Sequence, residues 1–205
     1  MARLLLFILS GIALAGVSTG TRADDIIGPA KARAYDARVF TKAPRQRAYA
    51  CFTRRYAPDH LAQHPKQKIS AMQLLVTAEI PQGESIMGYS FRLGVNYRDR
   101  PGDFDSSGSC DHIRAEDGGH EIRYGCPVDC EGGGIEIAMA KDDMSAIVRL
   151  TRITVWQHGN KPDDDAADAL VAGSDDKIFR LDRTAAADCA GLVTDRKELA
   201  AIRHK

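Results

Sequence analysis

Between Met87 and Arg98 every second residue is apolar or aromatic. Met87, Tyr89, Phe91, Leu93, Val95 and Tyr97 alternate with Gly88, Ser90, Arg92, Gly94, Asn96 and Arg98. Successive side chains of an extended strand point to opposite faces, so a run of this kind demands an antiparallel strand with one buried and one wetted face. The stretch before it carries the same period. Met72, Leu74, Val76, Ala78 and Ile80 share one face, and Pro81-Gln82-Gly83 separates the two runs, so they read as a hairpin.

The second constraint is the cysteine-rich stretch from Cys110 to Cys130. It contains Asp117-Gly118-Gly119, a turn signal supplying the positive-φ residues that tight hairpins need. A turn centred on Gly118 sets residues whose numbers sum to 236 opposite each other, which brings Cys110 to Cys126. Further on, Ile135–Met139 alternates again. Ser145–Trp156 is rich in β-branched residues, and its inward parity shifts near Thr151, which predicts a bulge. Lys177–Asp182 puts Phe179 and Leu181 on one face.

These segments predict a mainly β chain of about seven strands, folded as an antiparallel sandwich or as a meander closing into a partial barrel. Short helices belong near the two ends. One piece falls around 30–40, another between Pro58 and Pro65, and a last one runs from Thr194 or Asp195 to Arg203. The organisation read from the chain is a leader at 1–23, an irregular basic arm with a short helix at 24–66, an antiparallel β domain at 67–183 and a helical tail at 184–205. Arg100–Ser109 and 157–176 read as loops, the latter acidic and without periodicity. Low aromatic content, 6%, argues against a wide aromatic-lined cavity.

The N-terminus has the form of a secretory signal. Arg3 precedes an apolar run, Leu4–Val17, too short for a comfortable bilayer span, and Thr21-Arg22-Ala23 ends it with small residues at the cleavage positions. Cleavage before Asp24 is expected, and no second apolar run approaches membrane-spanning length. The mature chain keeps 26 basic and 28 acidic residues, a net of −2, which does not suit a general nucleic-acid binder. Export to an oxidising compartment makes paired cysteines the default. The expected pairs are Cys110–Cys126 and Cys51–Cys189, with Cys130 left over. Cys126–Cys130 and Cys110–Cys130 stand as alternatives.

The chemistry-bearing candidates are few. His60 and His64 lie four apart on a predicted helix, and His112 and His120 accompany the cysteines, so each pair offers zinc ligands. Oxidation of the thiols and the lack of a C-x2-C knuckle favour disulfides over zinc. Asp103-Phe104-Asp105-Ser106-Ser107-Gly108 resembles half of a calcium loop, but its twelfth position is Arg114 rather than glutamate, so a polar turn is the better reading. Residues 31–68 hold ten Lys/Arg and two Asp, and Arg45, Arg47, Arg54 and Arg55 with neighbouring aromatics suit a polyanion. Neutralisation by the acidic stretch 163–176 competes with that reading. No cofactor motif, phosphate loop or catalytic triad stands out.

The run Cys51-Phe52-x-Arg54-Arg55-Tyr56-x3-His60-Leu61-Ala62-x-His64-Pro65 is similar to a family of uncharacterised exported proteins from alphaproteobacteria. So is Gly108-Ser109-Cys110 with Cys126-x3-Cys130 and Phe179-Arg180-Leu181-Asp182. The resemblance implies export and brings no catalytic residue with it. The function expected is a periplasmic or secreted β domain with a non-enzymatic binding or structural role, partnered by an envelope component or another protein. The alternative is a metal protein or hydrolase built on the hairpin 110–130.

Overall fold

Among the described residues, nine antiparallel strands form one sheet that curls until its ends meet. The computed structural model describes residues 27–116, 121–129, 131–160 and 168–203. The expected leader and the turn expected at Gly118 fall on residues outside these, as do Cys130, 161–167 and 204–205. Helix α1 (Pro29–Val39) is followed by β1 (Ala48–Arg55), α2 (Pro58–Gln63), β2 (Ile69–Glu79), β3 (Gly88–Tyr97), β4 (Asp103–Arg114), β5 (Ile122–Pro127), β6 (Gly133–Met139), β7 (Ser145–Gln157), β8 (Asp168–Val171) and β9 (Ile178–Thr184). A 3-10 helix, Ala186–Leu192, and α3 (Arg196–Arg203) end the chain. Strands β1 to β7 follow one another as a meander, and β9 inserts between β7 and β1 to close the ring. Strand β8 hangs on the far half of β7.

The lumen is filled with side chains. Facing inward, the row Ala50, Val76, Phe91, Gly108 lies beside the row Phe52, Leu74, Leu93, Ser106. Tyr124, Phe179, Ile137 and Val148 close the opposite wall, all at 0–1% exposure. Small residues make room for large ones. A Cβ on Gly108 would stand 2.1 Å from Pro127 O and 3.1 Å from the Phe91 ring, so glycine is what admits both. The parity shift in β7 is a bulge, because Gly133 pairs with Ile153 and Ile135 with Leu150. Gly133 takes φ +73 there with Arg152 O where a Cβ would go.

Two strands lie outside the seven expected ones. Strand β1 occupies part of the segment read as an irregular arm, and β8 lies in the stretch read as a loop. Strand β4 begins at Asp103, inside the other expected loop. The calcium-like sequence is therefore extended strand, with Asp103 and Asp105 two apart on one face. The cysteine hairpin keeps the predicted register, with Asp111 opposite Gly125 and His112 opposite Tyr124.

Among the described residues two disulfides are present. Cys110–Cys126 crosses β4 and β5 with Cα atoms 4.2 Å apart, and Cys51–Cys189 ties β1 to the 3-10 helix at 5.8 Å. The second anchors a small apolar cluster outside the barrel, where Leu192, Val193 and Ile202 cover Cys51 and Leu75. Asp195 caps α3 by accepting from the Glu198 N–H at 2.8 Å.

Candidate functional site

Among the described residues, polar groups converge inside the barrel mouth and on the outer wall. The inner one is built around Asp36. Helix α1 lies across the mouth and turns Tyr35, Asp36 and Val39 into the core. The Asp36 carboxylate is 3% exposed and accepts from Tyr124 Oη at 2.6 Å, Tyr89 Oη at 2.7 Å and His112 Nε2 at 2.7 Å. An ionised carboxylate only accepts, so the His112 proton resides on Nε2. Burial pushes the Asp36 carboxyl upward, and the bonds from His112, Tyr124 and Tyr89 outweigh it, leaving the group below the usual carboxylate range. Burial and the neighbouring carboxylate raise the Tyr89 and Tyr124 hydroxyls well above an ordinary phenol. Tyr35 adds a bond to Ile137 O at 2.5 Å. The carboxylate and its three donors are directed at one another, so this cluster fastens α1 to the barrel.

The outer site is a cleft of about 510 Å³ across the wall of β1–β4. Its floor is two adjacent outward rows. Arg55, Ala71, Asn96 and Asp103 are paired in register across the four strands, as are Thr53, Gln73, Gly94 and Asp105. The 3-10 helix forms one bank through Asp188, Gly191 and Leu192, and His158 stands at the β4 end. His158 Nδ1 bonds Asp105 Oδ2 at 2.6 Å. Burial raises the Asp105 carboxyl, and the His158 bond partly offsets it. With Nδ1–H given to Asp105, neutral His158 keeps the Nε2 lone pair as an acceptor. Gln73 Nε2 donates to Asp188 O at 3.3 Å and Asn96 Nδ2 to Asp103. A smaller concavity of about 280 Å³ shares Asp105 and Leu192 with the cleft.

The residues singled out from sequence fall in several places. His60 stacks between Tyr56 and His64, at 4.8 and 4.4 Å, and bonds Gln67 Oε1 through Nε2. His112 belongs to the Asp36 cluster, and His120 and Cys130 lie outside the described residues. Among the described residues, no group of three or more His, Cys, Asp or Glu is placed to hold a metal ion. The four arginines do not form one patch. Arg45 and Arg47 precede β1, where Arg47 pairs with Glu79, while Arg54 and Arg55 end it roughly 24 Å away at strand rise. Arg54 pairs with Asp182 at 2.9 Å. Part of the acidic stretch clasps the backbone of the basic segment, since Asp176 accepts from Lys68 N and Asp175 from Lys66 N.

Sequence reasoning passed over Asp36, Tyr89, Tyr124 and His158 as polar groups. Asp36 did carry a signal, being one of two acids in a segment with ten bases. Comparison with protein-family models, with characterised proteins and with solved structures finds no match to this chain.

Proposed function

We propose that this chain is an exported, disulfide-stapled β barrel that binds an envelope component on its outer wall and performs no covalent chemistry. The observation that carries the reading is the contrast between a lumen filled by Phe52, Phe91, Tyr124 and Phe179 and a wall bearing a polar cleft of ordinary ligand size. Two disulfides support export, as do the apolar run of the leader and the resemblance to exported proteins of alphaproteobacteria. The barrel is apolar inside and polar outside along β1–β4, the reverse of a membrane-spanning barrel. Among the described residues no helix is long and apolar enough to cross a membrane. Against the reading of 110–130 as a metal or hydrolytic centre, Cys110 and Cys126 are joined in a disulfide and His112 is engaged by Asp36.

The test is purification from the periplasm. The expected result is an N-terminus at Asp24 and a bound molecule in native mass spectra that is lost when Thr53→Trp fills the cleft. Retention of Met1 with free thiols would overturn export, and a bound molecule indifferent to Thr53→Trp would overturn the outer-wall assignment.

A further inference from the structure

We propose that the outer-wall cleft binds a short extended peptide by its two charged ends, the carboxylate at Arg55 and the ammonium at Asp103 and Asp105. The inference rests on the reading of the outer wall as the binding face and adds the class of ligand. It begins with register. In the first floor row Arg55 and Asp103 are the two terminal residues, with Ala71 and Asn96 between them. They are three strand spacings apart, about 14 Å. An extended chain advances roughly 3.4 Å per residue, so about four residues bridge that gap.

The charges at the two ends are opposite and differently engaged. Arg55 is exposed and makes no hydrogen bond or ion pair with the described residues, whereas Arg54 beside it is committed to Asp182. At the far end Asp103 and Asp105 face the same way from β4, each oriented by one partner, Asn96 and His158. A carboxylate accepts several bonds, so both keep lone pairs for an arriving ammonium. Burial disfavours the charged form of Asp105 and His158 offsets it only in part, so an arriving ammonium would favour that form further.

The middle of the cleft suits an amide chain. Gln73 and Asn96 spend N–H groups on Asp188 O and Asp103, which leaves their carbonyl oxygens to accept from ligand N–H groups. Ala71 and Gly94 keep the floor low, and the Leu192 side chain lies 2.7 Å from where a Gly94 Cβ would be. Among the described residues the lining contains no Phe, Tyr or Trp, so no aromatic platform for the face of a sugar ring stands there. Opposite charges at the two ends also favour a zwitterion over a neutral glycan.

The experiment is an amide-resonance titration of the oxidised protein with four probes: tetra-alanine with free ends, its N-acetyl form, its C-terminal amide and an N-acetylglucosamine tetramer. Free tetra-alanine should shift Gln73, Gly94 and Asn96, and each cap should raise Kd about tenfold. Arg55→Ala, at an exposed unpartnered position, should abolish the penalty of amidation while leaving that of acetylation. Free peptide should also draw the Asp105 carboxyl titration downward, and the N-acetyl form should not. Equal binding of free and capped peptides, or no perturbation of the two rows by any peptide, would overturn the assignment. Perturbation of those rows by the sugar alone would overturn the peptide and leave the outer-wall reading standing. Loss of the outer-wall reading would show separately, in a co-purified molecule that ignores Thr53→Trp.

Discussion

Cutting Asp36 back to alanine asks directly what holds α1 in the barrel mouth. The helix buries only Tyr35, Asp36 and Val39, so it has no broad apolar stripe to anchor it. Removing the carboxylate leaves the Tyr124 and Tyr89 hydroxyls and the His112 N–H without their acceptor. A buried donor left unpaired costs about 1–3 kcal/mol. Tyr124 is fully buried and bears the upper end, while His112 at 13% exposure and the half-buried Tyr89 recover part of the loss from water. The total comes to about 4 kcal/mol, in line with the roughly 3–5 kcal/mol for breaking a buried charged pair. For a chain of this size the melting temperature should fall by roughly 8–16 °C. Asp36→Asn keeps one carbonyl acceptor in the same shape and should cost about 1–2 kcal/mol. Urea unfolding followed by circular dichroism measures both variants. A loss below 1 kcal/mol in the alanine variant would refute the idea that this carboxylate fastens the helix. Acid supplies a second arm. The Asp36 carboxyl lies below its unfolded value of about 3.9, so its stabilisation is complete above that pH and is lost as pH falls through the lower folded value. Wild type should therefore lose stability more steeply than Asp36→Asn below about pH 4.

Three further outcomes are expected. Replacing Cys51 and Cys189 by serine opens a loop of 138 residues and should cost about 3–5 kcal/mol in urea titrations, and an unchanged midpoint would count against the bond as a staple. Gly133→Ala forces a Cβ onto Arg152 O at positive φ and should cost more than about 2 kcal/mol, read as a fall in melting temperature. His158→Ala removes the partner that offsets burial of Asp105, so the Asp105 carboxyl should titrate higher still in carbon-detected NMR; an unmoved titration would show that the imidazole does not act on it.

Strand β3 and the cysteine hairpin were legible because each has one face in the core and one that carries mainly polar residues or glycine. Period two then survives in the letters, and the turn arithmetic on Gly118 transfers to the register of Asp111–Gly125 and His112–Tyr124. Strand β1 was not legible because its outward face is mixed. Ala50 and Phe52 enter the lumen, while Cys51 lies under the 3-10 helix and only Thr53 and Arg55 beyond it are polar, so period two does not show in the letters. The start of β4 hid for a different reason. Its inward residues Ser106 and Gly108 are small, Gly108 because Phe91 and Pro127 crowd that position, and Asp-Ser-Ser-Gly spells a turn when read without those neighbours. The Asp36 cluster draws on α1, β3, β4 and β5, and the cleft on four strands, so neither has a local spacing. Strand pairing and the docking of the end helices bring their members together.

Which rows of the outer wall stay open is decided by the tail. Cys51, Leu75, Arg92 and Ser107 form the next outward row beside Thr53, Gln73, Gly94 and Asp105. That row is roofed. The disulfide fixes the 3-10 helix over Cys51, Leu192 and Val193 pack on Leu75, and α3 closes on Arg92 through a two-pronged bond to Glu198 at 2.9 and 2.9 Å. Leu192 is also the residue that meets Gly94 at the border, so it belongs to both the roof and the bank of the cleft. Covering the third row converts a flat barrel wall into a floor with a side. The Cys51–Cys189 bond thus does more than restrain the unfolded chain. It places Asp188, Gly191 and Leu192 at the edge of the two polar rows, and the depth of the cleft depends on the oxidised form of a pair whose cysteines are 138 residues apart.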